Sequence, residues 1–265
     1  MSPKIRWAHA CNSMQELELA LGTGLEAIEA DVCWNENGKT AVMKHASTSK
    51  EPIEKECLAY DWLMRALSVD RTKIKILKLD FKNLRAVPNV VDILEKNLKD
   101  DSPEIMLNAD ILVGPGAKPH TIAPVDSIKF LEYCERIPNA TLSLGWTTAY
   151  SPFETLCYEP RHVDAMLGLL DSAKHSRVTF PIRASLAFES WPALSRLLGH
   201  SQHASITLWT AHEGVPLHQL EWIISQCQEH QIYVDCDKGP KHPYWHPMRL
   251  FQYDWTGIFL WYTQS

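Results

Sequence analysis

The chain has 265 residues, 45% hydrophobic and 22% charged, with a net charge of −6, which is an ordinary globular composition and the length of one α/β barrel of about 250 residues. The acidic balance excludes a basic stripe that tracks a nucleic-acid backbone by releasing counterions, although it allows a local basic pocket. Seven cysteines, at positions 11, 33, 57, 134, 157, 227 and 236 with no CxxC pair, speak for reduced thiols rather than a disulfide framework or a thiolate zinc site.

In chain order, residues 5–9 read as a first strand and 13–21 as a helix capped by Ser13. Residues 27–34 form a second strand, NENG at 35–38 a turn, and 40–45 a return strand ending on His45. Helical spacing marks 57–69, strict alternation marks a strand at 74–82 (IKILKLDFK), and 87–98 is helical. A strand at 104–113 (EIMLNADILV) stops at Gly114-Pro115-Gly116. Then follow a helix at 125–137, a strand at 141–147 (TLSLGWT), a helix at 162–173, and a strand at 177–184 (RVTFPIRA) with Pro181 inside it. A helix at 191–198, a strand at 205–211 (SITLWTA), a helix at 217–230 and a strand at 232–236 (IYVDC) complete the series.

Strand and helix alternate about eight times. That is the pattern of a (β/α)8 TIM barrel, although a doubly wound sheet shares the alternation. No linker or repeat splits the chain, so residues 1–265 are read as a single barrel domain, with 237–265 an aromatic-rich extension packed on it. The start, MSPKIRWAHACNSM, lacks an apolar leader, and no run of about eighteen apolar residues occurs. A cytoplasmic protein without a transmembrane segment is expected. The oligomeric state is left open.

The informative stretch is EAIEADVCWNENGKTAVMKH, residues 26–45. Side chains alternate along a strand, so Glu29 and Asp31 share one face while Ile28, Ala30 and Val32 share the other. Two acids inside an apolar run are costly to bury without a compensating cation, proton or hydrogen-bond network.

Barrel enzymes place their working residues at the carboxyl ends of strands. Those ends here carry His9, Glu29 with Asp31, His45, Asp80 with Lys82, Asn108 with Asp110, Trp146, Arg183, Trp209 and Asp235. Glu29, Asp31 and Asp80 are hard oxygen donors suited to Mg2+, Ca2+ or Mn2+ rather than zinc. His9 and His45 titrate near neutrality and can exchange protons, and Lys82 holds the acid or meets an anion. Such a set fits metal-assisted displacement at phosphorus, with the histidines as base and acid. Asn12, Lys78, Asn108, Asp110, Trp146, Arg183, Trp209 and Asp235 are expected on the substrate side. There the tryptophans would stack on a base or lie along a glycerol or acyl chain, and Arg183 would grip a second anionic group.

Taken singly, these residues have plainer readings. His9 fits a structural histidine, Glu29 and Asp31 edge-strand surface acids, Asp80 and Lys82 a salt bridge, and either tryptophan core. A Schiff-base lysine at 78 or 82 is disfavoured, because neighbouring acids keep it protonated. A serine hydrolase lacks its GxSxG elbow. A non-catalytic ligand-binding or scaffold barrel is the competing class.

The order HACN, AIEADV, KH and LDFK resembles the phospholipase-C-like phosphodiesterase superfamily, which includes glycerophosphodiester phosphodiesterases and spider-venom sphingomyelinase-D-type enzymes. The resemblance implies a barrel with Glu29, Asp31 and Asp80 as metal ligands, His9 and His45 as the catalytic pair, and Lys82 as a catalytic-site base partner or phosphate contact. It also implies attack of an internal hydroxyl on a small phosphodiester, such as a lysophospholipid, a glycerophosphodiester or an RNA end, giving a cyclic phosphate. HACN stands where the glycerophosphodiester enzymes have HRG, and ASTSKEPIEKEC replaces the Cys-rich loop of the venom enzymes, so the substrate does not carry over. Over most of the chain, WAHACNS, LNADILVGPG, LSLGWTT and ITLW resemble the menorin family (family with sequence similarity 151), closer to its soluble B-type branch than to the membrane-anchored one.

Overall fold

In the computed structural model, residues 7–45, 54, 56–117, 124–149, 156–171, 177–210, 213–228 and 231–235 are described. The expected extension at 237–265 and the outer ends of several expected elements lie outside them. The strands are β1 (Trp7–Ala8), β2 (Ala27–Asn35), β3 (Thr40–Met43), β4 (Cys57–Leu58), β5 (Ile76–Phe81), β6 (Glu104–Val113), β7 (Thr141–Thr147), β8 (Val178–Arg183), β9 (Ala204–Trp209) and β10 (Ile232–Asp235). The helices are α1 (Met14–Gly22), α2 (Ala59–Leu67), α3 (Ala86–Asn97), α4 (Ser127–Cys134), α5 (Pro160–Leu170), α6 (Ala184–Leu194) and α7 (Leu217–Ser225).

Parallel pairing runs from β1 through β2, β5, β6, β7, β8 and β9 to β10, while β3 and β4 pair antiparallel at the β2 edge. This is the (β/α)8 barrel with a hairpin added at one point of its rim. First and last strands meet through Trp7 and Tyr233, whose rings pack edge to face at 6.3 Å.

Strand alternation separates two layers. Ile28, Ala30, Val32, Leu77, Leu79, Phe81, Leu107, Leu142, Leu144, Phe180, Ile182, Ile206 and Leu208 face outward and are buried under the helices. Removing that apolar surface from water drives the assembly. Inside the barrel, Trp7, Ala27, Ile76 and Met106 form a small apolar floor against Tyr233. The in-register positions further along carry Glu29, Lys78, Asp31, Asp80 and Asn108.

Local signals account for the element ends. The Ser13 hydroxyl accepts from the Glu16 N–H at 3.2 Å and donates to the Glu16 carboxylate at 2.8 Å, starting α1. Pro88 is tolerated in the first turn of α3, where the N–H lacks a helical partner anyway. Pro181 has no N–H to give, and the β7–β8 ladder ends at Ser143↔Thr179, below it. β8 continues against β9 up to Arg183↔Trp209.

Two expectations are corrected. The segment expected as one helix from 57 opens with two residues of strand, paired to β3, before α2 begins. The helix expected at 191–198 starts at Ala184, directly after β8, because Ala184, Leu186, Ala187, Ser190 and Trp191 already bury one face. Pro192 removes a backbone donor near its end, and the chain passes into a 3-10 turn at Ser195–Gly199.

Candidate functional site

One edge of β2 builds half of the site. Its lower part pairs with β1 at Trp7↔Ala27 and Ala8↔Ile28, and its upper part with β3 from Val32↔Met43 to Asn35↔Thr40. Between these ladders, the Cys11 N–H donates to the Glu29 carbonyl and the Lys44 N–H to the Asp31 carbonyl, both at 2.9 Å. The edge is therefore satisfied throughout, as buried backbone requires. The chain leaving β1 bends inward over Glu29 and Asp31, and the chain leaving β3 reaches His45 one residue past Lys44. Asn35 Oδ1 accepts from the Gly38 N–H at 2.8 Å to fix the hairpin turn, and Asn89 of α3 accepts from the Ala41 N–H at 3.0 Å.

Three carboxylates converge at this rim. Glu29, Asp31 and Asp80 each offer an oxygen, and these oxygens all lie within 4.8 Å of one another. Asp31 and Asp80 are register partners on β2 and β5. Glu29 Oε2 accepts from the Ala10 N–H at 2.7 Å and faces His9 Nδ1 at 3.4 Å, with the His9 side chain 40% exposed. Ala10 adopts φ 54°, the left-handed region that costs a non-glycine residue about 1 kcal/mol or more; there its N–H meets the acid. Asn12 spends both amide atoms on Asp31: Nδ2 donates to Oδ2 and Oδ1 accepts from the N–H, each at 2.8 Å. The structure thus gives Asn12 an acid-holding place, where a substrate-side one was expected. Lys82 Nζ lies 2.5 Å from Asp80 Oδ2 and 3.0 Å from Asp31 Oδ1.

Burial raises the Glu29 carboxyl, the His9 charge opposes that, and Asp31 and Asp80 reinforce it. Burial also penalises ionised Asp80, but the Lys82 and Lys78 charges and hydrogen bonds from Lys82 and Asn108 outweigh it and lower the pKa. For Lys82, burial pulls down and the three acids pull harder upward, so it stays an ammonium. Asp110 is pushed up to about 7, first by burial and then by Asp80. Four carboxylates, Glu29, Asp31, Asp80 and Asp110, stand with two lysines, Lys78 and Lys82. With all four ionised and His9 neutral, the two negative charges left over sit on hard oxygen donors, and a divalent cation would balance them.

Asn108, in register with Asp80, accepts from the Ser143 hydroxyl at 2.5 Å while bonding Asp80. Asp110 lies against Gly145, where an added Cβ would stand 2.4 Å from Asp110 Oδ1 and 3.0 Å from Pro181 Cγ. The expectation that Trp146 lines the pocket is corrected. Strand alternation turns Gly145 toward Asp110 and Trp146 the other way, into the core. There it packs on Tyr158, with ring centroids 5.4 Å apart, and donates to the His162 carbonyl at 3.3 Å.

Arg183 and Trp209 are register partners, with the guanidinium 5.3 Å from the indole centroid. The Arg183 fork is bidentate to Glu213, at 2.6 and 2.8 Å, and Ser185 donates to the same carboxylate at 3.1 Å. Sequence reasoning missed Glu213; its signal was an acid on the loop that follows β9, on the carboxyl face. Asp235 ends β10 in register with Trp209. His45 is exposed at the rim.

Fold and site together define a (β/α)8 barrel with a carboxylate, lysine and histidine cluster at the carboxyl ends of its strands. The family model for the Menorin N-terminal domain matches residues 2–240, and the chain belongs to the menorin family. It is similar to Protein FAM151B of Homo sapiens, 29% identical over 247 residues that cover 91% of this chain and 85% of that protein. It is also similar to the crystal structure of glycerophosphodiester phosphodiesterase from Agrobacterium tumefaciens str. C58, at 11% identity and a TM-score of 0.46, covering 89% of this chain and 97% of that one. Among the described residues no helix is long and apolar enough to cross a membrane.

Proposed function

We propose that the chain is a divalent-metal-dependent phosphodiesterase that uses His9 and His45 as the proton-transfer pair. The observation that carries this reading is the ring of Glu29, Asp31 and Asp80, two of them buried, with oxygens within 4.8 Å of one another at the rim of the barrel and His9 beside Glu29. A Mg2+, Ca2+ or Mn2+ ion held by these acids would withdraw charge from the non-bridging oxygens of a phosphodiester.

The chain's own residues then have distinct tasks. Glu29 Oε2 stands 3.4 Å from His9 Nδ1, so that Nε2 is the atom that exchanges a proton. His45, on the other side of the β2 edge, is the second proton carrier. One histidine takes the proton of a neighbouring hydroxyl as its oxygen bonds to phosphorus. The other protonates the leaving oxygen as its bond breaks, giving a cyclic phosphate and a free alcohol. Lys82 bridges Asp31 and Asp80 and helps hold the Asp80 carboxyl down. The Trp209 face offers a stacking wall for a base or a surface for a glycerol unit. The substrate class is a small phosphodiester with an adjacent hydroxyl: a lysophospholipid, a glycerophosphodiester or an RNA end.

One observation favours a non-catalytic ligand-binding barrel instead: Lys82 already supplies a cation to Asp31 and Asp80. Thermal stabilisation by Mg2+, Mn2+ or Ca2+, followed by turnover of a phosphodiester panel, separates the two. Metal-dependent turnover that disappears in His9→Ala and His45→Ala supports the enzyme. Substrate binding without turnover under every metal supports the scaffold.

A further inference from the structure

Among the described residues, fourteen polar or charged side chains are buried, and thirteen of them have a visible hydrogen-bond partner. Glu29 and Asp31 are held by Ala10 and Asn12, Asn35 by Gly38, Asn108 by Ser143, and Thr179 by Thr207. Ser102, Thr141, Thr147, Arg183, Ser190 and Ser205 are likewise bonded. The exception is Lys78, 6% exposed, which makes no hydrogen bond and no close ion pair. Its charge acts on Glu29, Asp80 and Asp110 without contact. An ammonium brings three donors, and leaving all of them unused in a buried site is costly.

Position adds to this. Lys78 lies on the interior face of β5, in register with Glu29 on one side and Met106 on the other, two residues before Asp80. Its nitrogen is not among the fully sealed polar atoms, so the interior space of the barrel reaches it. The neighbouring lysine of the same strand is already engaged, since Lys82 contacts Asp80 and Asp31. Of the carboxylates around Lys78, Glu29, Asp31 and Asp80 are already held by other donors, and Asp110 reaches it through charge alone. What this position lacks is a compact acceptor with several oxygens.

We propose that Lys78, rather than Lys82, is the side chain that binds the oxyanion of the substrate: its ammonium donates to the non-bridging oxygens of a tetrahedral phosphoryl group. The inference rests on the phosphodiesterase reading for the identity of the anion. Its test does not depend on turnover.

Inorganic phosphate is titrated calorimetrically into the whole protein, once after chelation and once with Mg2+, and Mg2+ affinity is measured separately. Lys78→Met is expected to weaken phosphate binding about tenfold or more while Mg2+ affinity holds or rises, because a nearby positive charge has gone. Lys78→Arg, which keeps charge and donors, is expected to retain most of the phosphate affinity. Equal phosphate affinity in wild type and Lys78→Met overturns the proposal, as does a wild type that binds no phosphate in either state.

If Lys78→Met fails to fold, lysine-labelled wild-type protein decides. Phosphate must shift the Lys78 ε-methylene NMR resonance, assigned with Lys78→Arg, and no shift at saturation overturns the proposal. Loss of Mg2+ binding with intact phosphate binding at Lys78 counts against the metal reading alone.

Discussion

Asn12 grips Asp31 at two points, donating to Oδ2 and accepting from the backbone N–H, each at 2.8 Å. A side chain 19 positions earlier in the chain thereby fixes both the height and the rotation of one acid of the ring. Asn12→Ala is expected to cost about 1–3 kcal/mol in urea denaturation, the range for a lost hydrogen bond to a charged group. It is also expected to weaken divalent-metal binding by about ten- to a hundredfold, as removal of an orienting partner does. Unchanged metal affinity would show that Asp31 keeps its orientation without the clamp.

Gly145 makes room for Asp110. In Gly145→Ala the new methyl would meet Asp110 Oδ1 at 2.4 Å and Pro181 Cγ at 3.0 Å. Overpacking of this kind costs about 1–3 kcal/mol. Asp110→Ala in the same chain should return part of that loss, so the double-mutant cycle measured by thermal melting should show coupling. Additive losses would mean that Pro181, not Asp110, sets the limit.

Asp110 also gives the metal-free protein a pH slope. Its folded pKa, about 7, lies above the unfolded value of about 3.9. Between these values the folded chain holds the extra proton. Stability contributed by this group therefore falls as pH rises through the window and levels off above it. Asp110→Asn in chelator-treated protein should gain more at pH 8 than at pH 5. Because about one unit of the window lies below pH 5, the difference between the two pH values is at most about 3 kcal/mol, from about 1.36 kcal/mol per pKa unit. Parallel stability curves for the two proteins across that range would refute the assignment.

The Arg183 and Glu213 pair is buried on both sides, with side chains 8% and 5% exposed. Removing one member strands the other, so Arg183→Met and Glu213→Gln should each destabilise by about 3–5 kcal/mol. The double substitution should lose much less than the sum, because no isolated charge remains. A fully additive loss would show that the pair contributes no mutual stabilisation.

Strand alternation made much of this molecule legible in advance. IKILKLDFK places Lys78, Asp80 and Lys82 on one face of its strand, AIEADV places Glu29 and Asp31 on one face of its own, and the structure turns both faces into the barrel. Ser13 announced α1, and NENG announced the hairpin. Other features depend on contacts between distant segments. Trp146 is one residue away from an interior position, and only the β7 register shows that Gly145 takes it. Asn12 reads from the sequence as a substrate-side group, because nothing local reveals that it reaches Asp31. Glu213 meets Arg183 across thirty residues, with no short-range pattern to mark it. Helix α6 began unseen, because its opening residues are small and carry a weak periodicity.

The β2–β5 ladder matches Glu29 to Lys78 and Asp31 to Asp80, and an apolar residue separates each charged position from the next. Sliding β5 by one residue would carry Leu77, Leu79 and Phe81 into the barrel and thrust two lysines and an aspartate beneath the helices. The apolar stripe of this strand therefore acts as a ratchet for its charged stripe, permitting only even steps. Misassembly that preserved the fold's oily layer would have to jump two residues at once, displacing the whole charge sequence along the barrel axis by about 7 Å.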